Sequence, residues 1–263
     1  MDKVTILVNS CDDYEEIWNP FFMLFKKYWP TCNYPIVLNT ESKKYHYGDL
    51  NIRTMSLYKP GQKVPWGKRL IETLKNVESE YILFLLDDFF FTDYVDVKRL
   101  EECIKWMDEN PNIATFGFTR TRQPNIKDGK FPGFEKRPQE GEYRLNTQAA
   151  IWRREKLISY IRPHESAWDW EILGSKRSSR YQEDFYSAIE GDLLIFPYNS
   201  VDYGLRRGKW LKGTVSVFDR EGIKVDYSKR GFWDNSMFFK KMSFFKKVKY
   251  VIGYKIKIIK STI

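Results

Sequence analysis

The stretch that decides the fold is Tyr81-Ile82-Leu83-Phe84-Leu85-Leu86-Asp87-Asp88-Phe89-Phe90-Phe91, in which six apolar or aromatic residues run directly into two carboxylates. An apolar run of this kind predicts a strand that is buried on both faces of a sheet. Because carboxylates are rarely buried without partners, we expect Asp87 and Asp88 at the carboxyl end of the strand, where open α/β sheets bind ligands. Asp residues also cap ordinary turns, and the stretch alone leaves both interpretations open.

Strand-like and helix-like segments alternate on either side of this stretch. The predicted strands are 4–9, 35–39, 52–55, 81–86, 113–118 and 147–152, and the predicted helices are 14–28, 66–77, 95–109 and 154–161. Such alternation predicts an α/β domain with a mostly parallel central sheet and helices on both faces. We expect one domain over residues 1–235, in which residues 119–144 form a long loop, followed by a basic tail at 236–263.

Composition excludes several classes of protein. The 263 residues, 42% of them hydrophobic, suffice for a full core. No apolar run approaches the ~18–20 residues of a membrane span, and the first residues do not resemble a signal peptide. Three scattered cysteines predict reduced thiols in a cytosolic protein. The chain contains only two histidines, His46 and His164, which argues against a His-rich zinc site and against a Ser-His-Asp triad.

The positive charge is concentrated in the tail. Of the formal net charge of +9, eight charges come from lysines at 236–263, a segment without acidic residues, so the remaining chain carries about +1. Lysines interleaved with Phe and Ile predict an anchor on an anionic membrane surface, peripheral to the inner face of the plasma membrane. Nucleic-acid binding is not expected, since no such motif accompanies the lysines. The alternative is a final helix packed on the domain.

Four short motifs follow one another along the chain: Val8-Asn9-Ser10-Cys11-Asp12, Trp66-Gly67-Lys68-Arg69-Leu70, Leu86-Asp87-Asp88-Phe89 and Trp168-Asp169-Trp170-Glu171. In this order they resemble the GT-A fold glycosyltransferases, specifically the bacterial type that builds surface polysaccharides (capsule or O-antigen). The resemblance covers about residues 1–215. The acidic motif of that family is usually Asp-X-Asp, whereas the carboxylates of this chain are adjacent.

The resemblance implies a metal-dependent donor site. Two carboxylates suit Mn²⁺ or Mg²⁺, which holds a diphosphate. Asp88 would be the direct metal ligand, and Asp87 would hold the metal through a bound water or bind a ribose hydroxyl.

The first and second motifs would contact the rest of the donor. Asn9, Ser10 and Asp12 would surround the nucleoside, although Asp12 would equally serve as a helix N-cap. Arg69, on the helix before the acidic strand, would neutralise phosphate charge; the alternative is an ordinary solvated helix face.

The fourth motif would carry the catalytic base. Inverting transfer requires one group to deprotonate the acceptor hydroxyl; the resemblance favours Glu171, with Asp169 in reserve and Asp184 as a rival. Trp168 and Trp170 offer flat apolar faces for sugar rings. A helix-surface position remains the alternative for each acid.

A basic segment, Gly204-Leu205-Arg206-Arg207-Gly208-Lys209-Trp210, follows these motifs. Glycines allow close approach of the backbone to a ligand, and Arg207 and Lys209 suit a leaving diphosphate. A basic hairpin turn is the alternative. Gln148, on the predicted strand before Trp152, is a weaker candidate for contact with the acceptor or donor sugar.

These observations lead to one favoured hypothesis and two others. The favoured one is a metal-dependent, inverting glycosyltransferase that moves a sugar from a nucleoside-diphosphate donor, preferably a UDP-sugar, to a saccharide or lipid-linked saccharide. The second is a non-catalytic carbohydrate- or membrane-binding protein with the same fold. A sugar-nucleotide pyrophosphorylase is disfavoured, because its Gly-rich phosphate loop is absent near the amino terminus.

Overall fold

The structure is a computed structural model that describes residues 2–119, 125–189, 195–199, 201–234 and 257–259. Its central sheet contains β1 (Val4–Asn9), β2 (Ile36–Asn39), β3 (Ile52–Thr54), β4 (Tyr81–Leu86), β5 (Ile113–Gly117), β6 (Phe134–Lys136), β7 (Ala150–Arg153) and β8 (Asp184–Ala188). The predicted tail at 236–263 lies outside the described residues except for 257–259. Among the described residues, no helix is long and apolar enough to cross a bilayer.

The strands lie in the order β3-β2-β1-β4-β7-β5-β8-β6. β1 pairs in parallel with β2 and β4, β2 with β3, and β5 with β8. β7 runs antiparallel between β4 and β5, and β6 runs antiparallel along β8. Six of the eight strands therefore point in one direction, which confirms the predicted α/β class with a mostly parallel sheet.

Helices surround this sheet. They are α1 (Glu15–Tyr28), α2 (Trp66–Lys75), α3 (Val97–Glu109), α4 (Arg154–Tyr160), α5 (Ala167–Asp169), α6 (Ser175–Ser178) and α7 (Gly213–Glu221). A π-helical stretch, Trp170–Gly174, joins α5 to α6. The predicted 66–77 helix thus ends at Lys75, and the predicted 95–109 helix begins at Val97.

The core has two layers because β4 is buried on both faces, as its sequence predicts. Leu83 and Leu85 belong to the layer that contains the aromatic side chains of α1 and the apolar side chains of α3. Ile82 and Phe84 belong to the opposite layer, which contains Leu70 and Leu74 of α2 together with apolar side chains of α4. Burial on both faces leaves β4 only its carboxyl end for ligand contact.

Four strands were not among those predicted from the sequence, although a basic hairpin turn was the alternative for residues 204–210. β6 lies inside the predicted 119–144 loop, β8 follows it in space, and a short hairpin joins β9 (Leu205–Arg206) to β10 (Lys209–Trp210). The predicted 147–152 strand begins only at Ala150, so residues 147–149 belong to the preceding segment. The domain boundary at 235 stays a prediction.

Candidate active site

A cavity of about 500 Å³ opens at the carboxyl ends of β1 and β4. Its walls come from these strand ends, the first turn of α2, residues 147–148, the Ala167–Glu171 region and the β9–β10 hairpin. The candidates from the sequence that line it are Asn9, Ser10, Arg69, Asp87, Asp88, Gln148, Trp168, Glu171 and Arg207. Residues from all four motifs and from the basic segment therefore meet in one place.

Asp87 is held rigidly at the back of this cavity. Asn9, the last residue of β1, pairs with Leu86, the last residue of β4. The next residues, Ser10 and Asp87, therefore lie side by side. Ser10 Oγ donates a hydrogen bond to Asp87 Oδ2, and Trp18 Nε1 donates to the same oxygen at 3.2 Å. Burial raises the pKa of Asp87 well above its usual range, and the Asp88 charge raises it further, against the opposing effect of Ser10.

Asp88 fits a cation. Its Oδ1 is buried and has no hydrogen-bond partner among the described residues, which is costly for a carboxylate oxygen. Burial raises the pKa of Asp88 to about 7, against the opposing charge of Arg230. The described residues hold no cluster of three or more His, Cys, Asp or Glu side chains suited to a metal. A cation at Asp87-Asp88 would therefore complete its shell with diphosphate or water oxygens, as Mg²⁺ commonly does.

The β9–β10 hairpin, which carries the basic segment, packs directly on the acidic turn, that is, the turn formed by Asp87 and Asp88 after β4. A Cβ atom at Gly204 would lie 2.0 Å from the Asp88 carbonyl oxygen, so only glycine fits there. At the hairpin tip, Arg207 and Gly208 both have positive φ, 51° and 75°, as a two-residue type I′ turn requires. A non-glycine residue in this conformation is strained, and such strain is concentrated at functional sites.

Glu171 is oriented by Thr147. The Thr147 backbone N–H and side-chain Oγ1 both donate to Glu171 Oε1, at 2.8 and 2.7 Å. These two donors fix the orientation of the carboxyl group, and the hydrogen bonds found among the described residues leave Oε2 for another partner. Tyr198 donates to the side chain of the neighbouring Gln148 at 3.1 Å.

The two tryptophans of the fourth motif have different environments. Trp168 is 63% exposed at the edge of the cavity. Trp170 is buried in the core, where its ring lies 5.6 Å from that of Trp66 and 6.1 Å from that of Trp152. The prediction that both rings face a sugar is therefore corrected to Trp168 alone.

Arg69 lines the cavity but is already paired. The side chain is buried and its Nη1 forms an ion pair with Glu41. Its buried Nε has no partner among the described residues, so the ion pair with Glu41 leaves N–H donors of the guanidinium, Nε–H among them, for another acceptor. The solvated-face alternative is wrong for Arg69.

Asp12 lies outside the cavity lining and holds the 41–43 loop instead. Its carboxylate accepts from Ser42 Oγ at 2.6 Å and from three backbone N–H groups, those of Glu41, Ser42 and Lys43. Partial burial would raise the pKa of Asp12, but the hydrogen bonds from Ser42 outweigh it and lower the pKa. A structural role replaces the expected contact with a nucleoside.

Three further predicted residues also lie apart from the cavity lining. Asp169 forms a capping box with Ser166 and an ion pair of 2.9 Å with Lys257. Lys209 Nζ donates to the backbone oxygen of Arg230 at 3.0 Å. Asp184 begins β8, whose amino end lies at the opposite edge of the sheet, and pairs with Lys136 at 2.6 Å. The geometry thus favours Glu171 among the candidate bases.

The cavity also contains residues that sequence reasoning missed. Thr147 and Tyr14 line it, and Trp18 reaches its back wall from α1. Arg230 connects the hairpin to α1, since it donates to the backbone oxygen of Gly208 at 3.3 Å and to Glu16 at 2.5 Å. Only the proximity of Tyr14 and Trp18 to the first motif was a signal in the sequence.

No protein-family model matches the chain, and no curated protein matches its sequence. Its structure is similar to that of S. aureus TarS, with a TM-score of 0.51 and 12% identity over 87% of this chain and 41% of that one. Residues 1–349 of TarS in complex with UDP give a TM-score of 0.50 and 14% identity, over 75% of this chain and 59% of that one.

A mannosyltransferase, PcManGT from Pyrobaculum calidifontis in complex with GDP-Man and Mn²⁺, gives a TM-score of 0.48 and 11% identity over 72% of this chain and 55% of that one. The chain thus spans between 41% and 59% of the lengths of these structures. At such low identities the similarity concerns the fold, and that fold is GT-A.

Proposed function

We propose that this protein is a metal-dependent, inverting glycosyltransferase that moves a sugar from a nucleoside-diphosphate donor to a saccharide or lipid-linked saccharide. The observation that carries the proposal is one cavity within a GT-A fold. In it meet Asp87 and Asp88, the hairpin arginines Arg206 and Arg207, and Glu171. A UDP-sugar is the favoured donor, in keeping with the TarS structure that contains UDP.

The donor would lie across the carboxyl ends of β1 and β4. Asn9 and Ser10 would contact the nucleoside, and the hairpin arginines would hold the diphosphate by charge-assisted hydrogen bonds. Asp88, assisted by Asp87, would hold Mn²⁺ or Mg²⁺. When bound, the cation neutralises the diphosphate and makes it a better leaving group.

Glu171 would act as the general base. Because Thr147 engages Oε1, the acceptor hydroxyl would meet Oε2, which takes the proton as the acceptor oxygen attacks the anomeric carbon. The bond from that carbon to the diphosphate oxygen breaks at the same time. The hairpin arginines retain the negative charge of the leaving group.

The test is the release of UDP from a panel of UDP-sugars with Mn²⁺. The wild type should release UDP, whereas Asp88→Asn should lose metal-dependent UDP binding. Glu155→Gln is the matched control, since Glu155 is an exposed carboxylate at the start of α4. Absence of UDP binding and of turnover in the wild type with every donor would leave the non-catalytic hypothesis.

We also propose that the basic tail holds the enzyme on an anionic membrane, in the service of surface-polysaccharide synthesis. Eight lysines in a segment that contains no acidic residue support this, as do the exposed side chains of Ile258 and Ile259. One of the eight, Lys257, also pairs with Asp169 of the domain. Truncation after Asp234 should abolish sedimentation with phosphatidylglycerol vesicles and preserve turnover of a soluble acceptor. The truncation point follows Trp233, which is buried and hydrogen-bonded to Trp210. Vesicle binding by the truncated protein would refute the proposal.

A further inference from the structure

A second cavity, of about 530 Å³, shares Glu171 with the active-site cavity. It lies between the loop at 140–143 and the helical residues 171–179. Because Glu171 lines both cavities, a molecule in the second one is next to the proposed base without competing for the donor site.

The loop side of this cavity is fixed by two buried arginines. Arg137 Nη1 donates to the backbone oxygen of Arg144 at 2.5 Å. Arg144 donates to the backbone oxygens of Ser178 and Glu183 at 2.6 and 2.8 Å, and its guanidinium lies 4.0 Å from the centre of the Phe185 ring. These contacts tie the loop to the residues around it, although Arg137 Nη2 and Arg144 Nε are buried without a partner among the described residues.

The helical side is joined to the same loop. Ser175 Oγ accepts from the Leu145 N–H at 2.9 Å and contacts the Glu171 backbone oxygen. At the other end, Gln139 donates to the backbone oxygens of Ser179 and Tyr181 at 2.7 and 2.6 Å. Hydrogen bonds therefore tie both ends of the loop to the helical side of the cavity, and a largely preformed wall of this kind is typical of a ligand site.

Tyr143 provides an aromatic wall under backbone strain. Its φ is 52°, a conformation that favours glycine and that an aromatic residue adopts only when its surroundings enforce it. The side chain lines the cavity. A tyrosine ring offers an apolar face for a sugar ring and a hydroxyl for its polar groups.

The charges of the cavity are predominantly negative. Glu140, Glu142 and Glu171 line it, against one cation, Lys176. Glu140 and Glu142 are exposed, and within the described part of the chain neither has an ion-pair partner. An anionic ligand would meet like charges, which costs binding free energy.

From these features we infer that the cavity is the acceptor subsite and binds a saccharide unit that is neutral or carries an amino group, and that it rejects a phosphorylated or carboxylated unit. The identification of the bound saccharide as the acceptor rests on the proposed function. The binding of the sugar itself depends only on the cavity.

The test measures the binding of three methyl glucosides that differ only in charge: the neutral glucoside, the 6-amino-6-deoxy glucoside and the glucuronide. Calorimetry and saturation-transfer NMR on the full chain with UDP and Mn²⁺ should rank the amino glucoside at least about tenfold above the glucuronide, given the two unpaired glutamates. The double variant Glu140→Lys, Glu142→Lys should reverse that order. Glu155→Lys, an exposed charge reversal elsewhere, should keep it.

A second variant blocks the cavity without changing its charge. Ile172 is 38% exposed and lines the cavity, so Ile172→Trp should abolish binding of all three glucosides while its melting temperature reports folding. Equal affinities for the glucuronide and the amino glucoside, binding that survives Ile172→Trp, or no binding by the wild type would each overturn the inference. UDP affinity, measured in parallel, tests the proposed function separately. If the protein does not bind UDP but still ranks the glucosides as expected, the glycosyltransferase proposal is refuted and the saccharide-binding site is retained.

Discussion

The contact between Gly204 and Asp88 gives the sharpest prediction, because one methyl group should disturb the proposed metal site from outside it. A Cβ atom at position 204 would lie 2.0 Å from the Asp88 carbonyl oxygen. Gly204 cannot move away easily, since Thr214 Oγ1 bonds to its N–H at 2.8 Å and to its carbonyl oxygen at 3.1 Å. In Gly204→Ala, therefore, the Asp88 turn has to move.

The cost has two parts. The φ of 97° at Gly204 costs an alanine roughly 1–2 kcal/mol, and forcing a methyl group into packed atoms typically costs about 1–3 kcal/mol more. A domain with ~5–15 kcal/mol of stability stays folded under this load. We expect a fall in melting temperature of about 5–15 °C, and a loss of at least about tenfold in Mn²⁺-dependent UDP affinity, equal to ~1.4 kcal/mol.

Gly222→Ala is the matched control. Gly222 also has a positive φ, 68°, but nothing lies within 4 Å of a Cβ atom built there. It should therefore lose about 1–2 kcal/mol of stability without any change in UDP affinity. Calorimetric titration with UDP in Mn²⁺ and in EDTA measures both variants. Gly204→Ala with wild-type UDP affinity would refute the argument that the hairpin positions the acidic turn.

Three other changes probe the site and its support. Glu171→Gln should lower kcat by ~10²–10⁴-fold with unchanged donor affinity in a coupled UDP-release assay, and wild-type kcat would exclude Glu171 as the base. Asp88→Asn should reduce UDP affinity in Mn²⁺ to its value in EDTA, whereas a persistent Mn²⁺ effect would place the cation elsewhere. Glu221 links α7 to α1: burial opposes its ionisation, but hydrogen bonds from Lys27 and Tyr28 outweigh this and hold its pKa below the usual range. Because the folded pKa is depressed, this stabilisation is present above the ordinary carboxyl pKa of about 4.3 and is lost as pH falls through the folded pKa. Urea unfolding should therefore separate Glu221→Gln from the wild type at pH 7, and the difference should shrink as pH falls below about 4.3.

The sequence predicted the elements whose burial follows a regular pattern. β4 has the bounds of the predicted 81–86 strand. α1 begins at Glu15, one residue later than predicted, and ends at Tyr28 as predicted. These elements are long and strongly apolar, so that periodicity alone identifies them. The meeting of Ser10 with Asp87 follows from the parallel pairing of β1 with β4, since the carboxyl ends of adjacent parallel strands lie at one edge of the sheet; the sequence predicted both strands but not that they are neighbours.

Short or polar strands escaped prediction because tertiary contacts define them. β8 contains a buried Ser187, whose hydroxyl accepts from the buried Arg137. A buried serine–arginine pair gives no hydrophobic signal in the sequence. The β9–β10 hairpin has two residues in each strand, fewer than any period-2 pattern needs.

The antiparallel insertion of β7 explains why the positions of Thr147 and Gln148 could not be predicted from sequence. Alternating strands and helices suggested a parallel neighbour for β4, which would have carried residues 147–149 to the far edge of the sheet. Instead Ala150 pairs with Phe84 in an antiparallel register, so the chain entering β7 passes beside the end of β4. Thr147 and Gln148 consequently reach the cavity, and Thr147 fixes Glu171 there. One reversed strand therefore brings Thr147, and with it the candidate base Glu171, beside the end of β4. The sequence could nominate Glu171 and Asp88, and the resemblance implies that they share a site, but neither predicts the strand order that brings them together.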